Sequence, residues 1–246
     1  MNRKNAIRIA AALSESANVL DVGGGGAPFP RATHVLDAIS FDDRGRCCAN
    51  LLEDVIPARF TRDTWRQADV CDRKPWPYAD KSFDYVTCSH LLEDIRDPIW
   101  VCSELQRVAK AGYIEVPSRI LEQCLGVENP TYAGYYHHRW LVTISGSRVV
   151  FQHKPHNLHT LKSAIVARIG ATERINPRYE SDSLEWRDSF DYVEELVFDE
   201  SDMERSLSEF AARSRRLPAL VVNGEDTLAG KMRRSLYYAR LRRGGR

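Results

Sequence analysis

A chain of 246 residues, 43% hydrophobic, is long enough to bury one sizeable core with decorations, and its formal net charge of +1 points to no class of partner. No apolar run approaches the ~20 residues needed to span a bilayer, so no membrane-spanning helix is expected. The six cysteines (Cys47, Cys48, Cys71, Cys88, Cys102, Cys124) contain no C-x-x-C pair, which fits a reducing compartment and leads us to expect a cytoplasmic protein. Cys88 and Cys102 read as small buried hydrophobes.

In chain order, residues 4–16 predict an amphipathic helix. Its basic start and apolar run mimic a signal peptide, but Arg8 interrupts the run and the segment leads straight into a strand. Strands are expected over 19–22, 33–36, 66–68, 85–88 and 113–116, with a helical patch over 51–60 and a helix over 98–108, which together make a parallel α/β sheet. One unit is abnormal: only residues 27–32, with Pro28 and Pro30, separate a glycine loop from the second strand. Parallel neighbours usually need a crossover of about a dozen residues or more, so the first helix must shrink to a turn or so. Asp97-Pro98 reads as an N-cap followed by proline at the first helical position. Further on, 140–144 and 149–153 around Ser145-Gly146-Ser147 predict a β-hairpin, 158–169 a helix, and 184–197 a strand-rich stretch supplying the sheet's last edge.

The glycine loop carries the chemistry. The strand Val19-Leu20-Asp21-Val22 runs into Gly23, Gly24, Gly25 and Gly26, and consecutive glycines cost backbone entropy that only positive φ or close approach to a ligand justifies. A dinucleotide fits poorly, because a G-x-G-x-x-G reading from Gly23 meets Pro28 and puts Asp21 beside an anionic pyrophosphate. A ligand with a cationic amino group is better matched to Asp21. Asp37 and Asp69 end the next two strands, and an acid at the second strand's end can accept from two ribose hydroxyls.

Taken with Ser82-Phe83-Asp84 before the run Tyr85-Val86-Thr87-Cys88, and with Ser89-His90-Leu91-Leu92-Glu93-Asp94 leading to Asp97-Pro98, this order resembles the class I S-adenosylmethionine-dependent methyltransferases, type 11-like. The resemblance implies a doubly wound, mostly parallel Rossmann-like sheet, here with a shortened first crossover helix and an inserted β-hairpin lid. It implies S-adenosyl-L-methionine as cofactor, held by Asp21, Gly23, Gly24, Gly25, Asp37, Asp69, Val70 and Ser89, with Asp69 and the Val70 backbone facing the adenine. Asp94 stands where that family usually has histidine. The whole chain, 1–246, reads as one domain, with 118–160 as the inserted substrate lid and 228–246 as a basic C-terminal helix or tail.

Substrate recognition is expected after Val116, where Tyr132, Tyr135, Tyr136, His137, His138, Arg139 and Trp140 cluster. Such density suits a polar, ring-shaped acceptor such as a sugar or phenol, and equally the packing of a hairpin onto a sheet. A hydroxyl acceptor needs its proton received, so His90, His137 and His138 are the catalytic candidates. His153, His156 and His159 are three apart, but Pro155 breaks any helical face and no carboxylate completes a set, so no metal site is expected. The partner is expected to be a small-molecule or glycan acceptor, with a homo-oligomer left open and nucleic acid not favoured. The alternatives are an RNA or protein methyltransferase using the seven basic residues between Lys231 and Arg246, or a catalytically silent cofactor-binding partner subunit.

Overall fold

The computed structural model describes residues 1–44 and 56–224. Helix α1 (Arg3–Ala12) precedes four parallel strands, β1 (Val19–Val22), β2 (His34–Asp37), β3 (Trp65–Gln67) and β4 (Tyr85–Ser89). Helix α2 (Pro98–Val108) then returns the chain to β5 (Ala111–Pro117). The remainder comprises a turn of helix α3 (Arg119–Glu122), β6 (Cys124–Leu125), β7 (Trp140–Ser145), β8 (Arg148–His153), β9 (Ala167–Arg168), β10 (Glu173–Ile175), β11 (Ser181–Arg187), β12 (Asp191–Glu194), α4 (Glu200–Ser214) and β13 (Val221–Asn223). The central sheet runs β11-β5-β4-β1-β2-β3, parallel except for the antiparallel edge strand β11.

Alternation along the strands explains why both faces of this sheet are covered. Val19 and Val35 pack with Ala6 and Ile9 of α1, whereas Leu20, Val22 and Leu36 pack with Val101, Cys102, Leu105 and Val108 of α2. As read from sequence, α2 starts at Pro98, and the Asp97 carboxylate accepts from Trp100 N at 3.0 Å. The crossover from β1 to β2 contains no helix, yet the two strands pair in parallel. Bonds from Ala27 N to Gly24 O and from Ala32 N to Phe29 O fold the prolines at 28 and 30 into turns that do the helix's work of reversing the chain.

The hairpin forms as predicted, with Ile144 opposite Val149 and Trp140 opposite His153. It is part of the core, because Val142, Val149 and Phe151 are buried in the same cluster as α2. Three expectations need correction. Residues 158–169 are not a helix but two short 3-10 turns and β9, since the carbonyl of Ala164 is taken by the Gln123 amide at 2.7 Å and Val166 N donates to Gln123 O. Of the strand-rich stretch over 184–197, only residues 184–187, the end of β11, edge the main sheet. A turn at Asp188, with φ 64, sends β12 to pair with β8 instead. Of the helical patch at 51–60, residues 51–55 lie outside the described part and 56–60 are not helical: Pro57 has no N–H to give, and Arg59 N bonds to Pro30 O. The basic tail also lies outside the described residues, within which no helix is long and apolar enough to cross a membrane.

Candidate active site

The carboxyl ends of β1, β2 and β4 meet at the glycine loop. Gly23 has φ +71 and donates to Leu36 O at 2.9 Å, tying the loop to the end of β2. Gly25 has φ +47, and its N–H donates to Asp37 Oδ2 at 2.6 Å, while Ile39 N donates to Oδ1 at 2.7 Å. The Asp37 carboxylate is 4% exposed, and burial raises its pKa against the pull of those backbone donors. Two of its roughly four acceptor positions remain for ribose hydroxyls.

Asp21 does not present a free carboxylate. Thr87 Oγ1 donates to its Oδ1 at 2.5 Å and Phe29 N to its Oδ2 at 2.9 Å. Burial outweighs both bonds and pushes its pKa up to about 6. Both of its oxygens are engaged within the protein, so toward a cationic ligand it could act only as a charge set behind the loop. A side chain at Gly24 would lie 2.1 Å from Asp21 Oδ2 and 2.8 Å from Pro28 Cα, so here only glycine fits over the acid. Asp69 is half exposed; Cys71 N donates to its Oδ1 at 2.9 Å and Arg96 Nη1 to its Oδ2 at 2.6 Å, and these hold its pKa below the usual carboxylate range. Val70 is buried beside it. Ser89 ends β4, and its Oγ, buried, has no hydrogen-bond partner among the described residues.

The residues at these strand ends fit S-adenosylmethionine: a bare-backbone cradle, acids at three successive ends and an orphaned hydroxyl. Replacing Asp37 with alanine removes the acceptor for Gly25 N, Ile39 N and the ribose together. Calorimetry with S-adenosylhomocysteine is expected to show affinity lower by about 1–3 kcal/mol. Unchanged affinity would remove Asp37 from the site.

The three candidate histidines divide into two places. His90 follows β4 in the left-handed region, at φ 54, a conformation histidine visits more readily than most residues. Its Nε2 lies 3.1 Å from Glu115 Oε1 and its Nδ1 3.6 Å from Glu93 Oε1. Desolvation opposes its charging, but the two carboxylates win and raise its pKa to about 9. Burial likewise works against ionisation of Glu115, yet His90 and the Tyr113 hydroxyl hold it down to about 2. His90 is thus an imidazolium at neutral pH and cannot receive a proton there. His137 and His138 stand together at the turn before β7, both near Asp94. The histidines at 153 and 156 stack edge-on at 5.8 Å, and His159 stacks on Tyr132 at 4.9 Å. The sequence reading missed Glu115 and Glu93, whose only signal was an acid inside or just after an apolar strand.

A cavity of about 350 Å³ opens beside His90 and Glu115. Leu121, Val127, Ile169 and Ile175 give it apolar walls, and Tyr135, Glu180 and Arg174 supply polar groups.

A doubly covered, mostly parallel sheet with a glycine loop and three strand-end acids defines the class of S-adenosylmethionine-dependent methyltransferases. The chain belongs to the family described as a methyltransferase domain, which matches residues 2–165. None of the curated proteins matches it. Among solved structures, it is similar to an S-adenosylmethionine-dependent methyltransferase from Mesorhizobium loti, at 17% identity over 65% of this chain and 70% of that one, with a TM-score of 0.35. It is also similar to one from Aquifex aeolicus, at 14% identity over 47% and 64% with a TM-score of 0.33. A third is the N-terminal domain of EvdMO1, solved in the presence of S-adenosylhomocysteine and D-fucose, at 15% identity over 85% and 73% with a TM-score of 0.34. The chain spans about half the length of the first solved structures it matches.

Proposed function

We propose that the protein methylates a hydroxyl, or failing that an amine, of a polar ring-shaped small molecule or glycan unit. The cavity beside His90 and Glu115 is the observation that carries this reading, because apolar walls with a few charged groups suit a ring bearing hydroxyls. The cysteine pattern supports a reducing, cytoplasmic setting.

Bound S-adenosylmethionine supplies an electrophilic sulfonium methyl, and the thioether that leaves is neutral, so no acid is required. Asp37, Asp69 and the glycine loop hold and orient that donor. His90, kept charged by Glu115 and Glu93, donates to an acceptor oxygen and fixes the ring, which is a positional contribution. The segment before the hairpin, carrying Tyr135, excludes water from one side. The acceptor's proton falls to His137 or His138.

The test is incubation of the full chain with S-adenosylmethionine and a panel of sugars, nucleotide sugars and phenols, reading methylated product by mass. Removing a true base lowers turnover by about two to four orders of magnitude while sparing cofactor binding. With His90→Gln, turnover should fall and lose its alkaline limb, which the wild-type enzyme should show near pH 9. Methylation of RNA alone, with salt-sensitive RNA retention abolished by deleting residues 231–246, would replace this reading with the nucleic-acid one.

A further inference from the structure

Asp94, His137 and His138 bring three ligand atoms within 4.8 Å of one another. Asp94 Oδ1 lies 3.9 Å from His137 Nε2 and 3.8 Å from His138 Nε2, too far for hydrogen bonds. That oxygen is buried and has no hydrogen-bond partner among the described residues. We propose that these three side chains form a binding site for a divalent first-row transition ion of the zinc type.

Four features converge on it. Two imidazoles and one carboxylate are the donor set such ions prefer over the all-oxygen sets of calcium and magnesium. Bonds of about 2.0–2.2 Å in tetrahedral array put donors about 3.3–3.5 Å apart, so the two pairs with Asp94 close by about half an ångström on binding. His137, 45% exposed at a turn, has the freedom to make that movement.

The second feature is a built outer shell. His138 is 6% exposed, and its Nδ1 meets Glu122 Oε1 at 2.7 Å, which fixes the ring and leaves Nε2 for the ion. Lys154 Nζ holds the other Glu122 oxygen at 2.5 Å and donates to Tyr135 O at 2.7 Å, so the charge of Glu122 is already balanced.

The third is an unbalanced one. Glu93, next in sequence to Asp94, is 1% exposed and neither of its oxygens accepts a hydrogen bond from the described residues. A buried carboxylate is costly unless paired, and His90 at 3.6 Å is shared with Glu115. Two adjacent acids, one of them fully buried, call for more positive charge than His90 supplies.

The fourth is place. Tyr135 packs on His138 with ring centroids 4.6 Å apart and lines the cavity assigned to the acceptor. An ion there occupies the imidazole nitrogens to which the proposed function gives the acceptor's proton, so His137 and His138 take that proton only while the site is free of metal; with three protein ligands the ion keeps an open position, as catalytic rather than structural zinc does.

Calorimetric titration of ZnCl2 into the full metal-stripped chain, without methyl donor, is the test, so it stands or falls apart from the methyl-transfer reading. One ion per chain is expected. Asp94→Asn and His137→Ala should each weaken binding at least tenfold with the thermal transition of the apo protein retained, and Glu122→Gln should weaken it about 10–100-fold. The double variant His153→Ala/His156→Ala should bind as the wild type. Co2+ should give visible d–d bands that Asp94→Asn abolishes. Absence of binding, binding indifferent to Asp94 and His137, or binding lost in the double variant would each overturn the site.

Discussion

Replacing Gly24 with alanine is expected to abolish measurable S-adenosylhomocysteine binding and to lower stability by about 1–3 kcal/mol, the usual cost of overpacking. The added methyl would fall 2.1 Å from Asp21 Oδ2 and 2.8 Å from the Cα of Pro28. Neither can yield easily: Asp21 is pinned by Thr87 and Phe29, and Pro28 sits in the turn that replaces the missing crossover helix. Movement of either displaces the cradle, so binding suffers beyond the loss of stability. Gly146→Ala is the matched control. Its φ, unlike that of Gly24, is positive, at +60, but nothing lies within 4 Å of the added methyl, so only backbone strain of about 1–2 kcal/mol applies and binding is untouched. Calorimetry and chemical denaturation on the two variants separate a steric clash at the cradle from backbone strain at a remote turn. Equal binding by both would show that the loop does not cradle the ligand.

Asp21→Asn is expected to stabilise the unliganded protein above pH 6 while weakening the cofactor. The Asp21 carboxyl titrates near 6 in the folded chain, against 3.8 for an ordinary aspartate. Between those values the native state holds a proton that the unfolded chain has lost, so stability falls as pH rises through the window. Two units correspond to about 3 kcal/mol at most, as an order of magnitude. Asparagine keeps the acceptor for Phe29 N and can donate to the Thr87 hydroxyl, so it retains both contacts without the buried charge. Denaturation curves of the two proteins should coincide below pH 4 and separate progressively to pH 6. If they run parallel throughout, Asp21 titrates normally. A stabilising change that harms binding would mean that this acid is kept for its charge, a common trade at functional sites.

Much of the fold was legible. The core strands are short apolar runs closed by an acid or a glycine, and their buried, two-faced character is written in consecutive residues such as Val19 to Val22. The Asp97-Pro98 cap and the Gly146 turn were readable for the same reason, since each depends on chemistry within a few residues. Residues 158–169 were not, because their helical spacing of apolar side chains was overruled by Gln123 and Arg215, whose side chains claimed backbone carbonyls of the stretch, and the apolar residues were split between two clusters. The destination of β12 was equally hidden, since joining the hairpin rather than the main sheet depends on the turn at Asp188.

For the proposed site, sequence alone supplied the residue types expected of a methyl-donor pocket: the glycine run, Asp21, Asp37 and Asp69 in order at or just after successive strands. Local spacing carries that information, because each acid is placed by the strand it ends. Tertiary structure decided what state those groups are in. It put Asp21 behind Thr87 and Phe29 rather than against a ligand, and converted His90 from a candidate base into a charged donor between Glu93 and Glu115. It also set Asp94 against two histidines far along the chain. Protonation and ligand geometry depend on burial and on charges brought close by folding, and neither is a property of any short stretch of sequence.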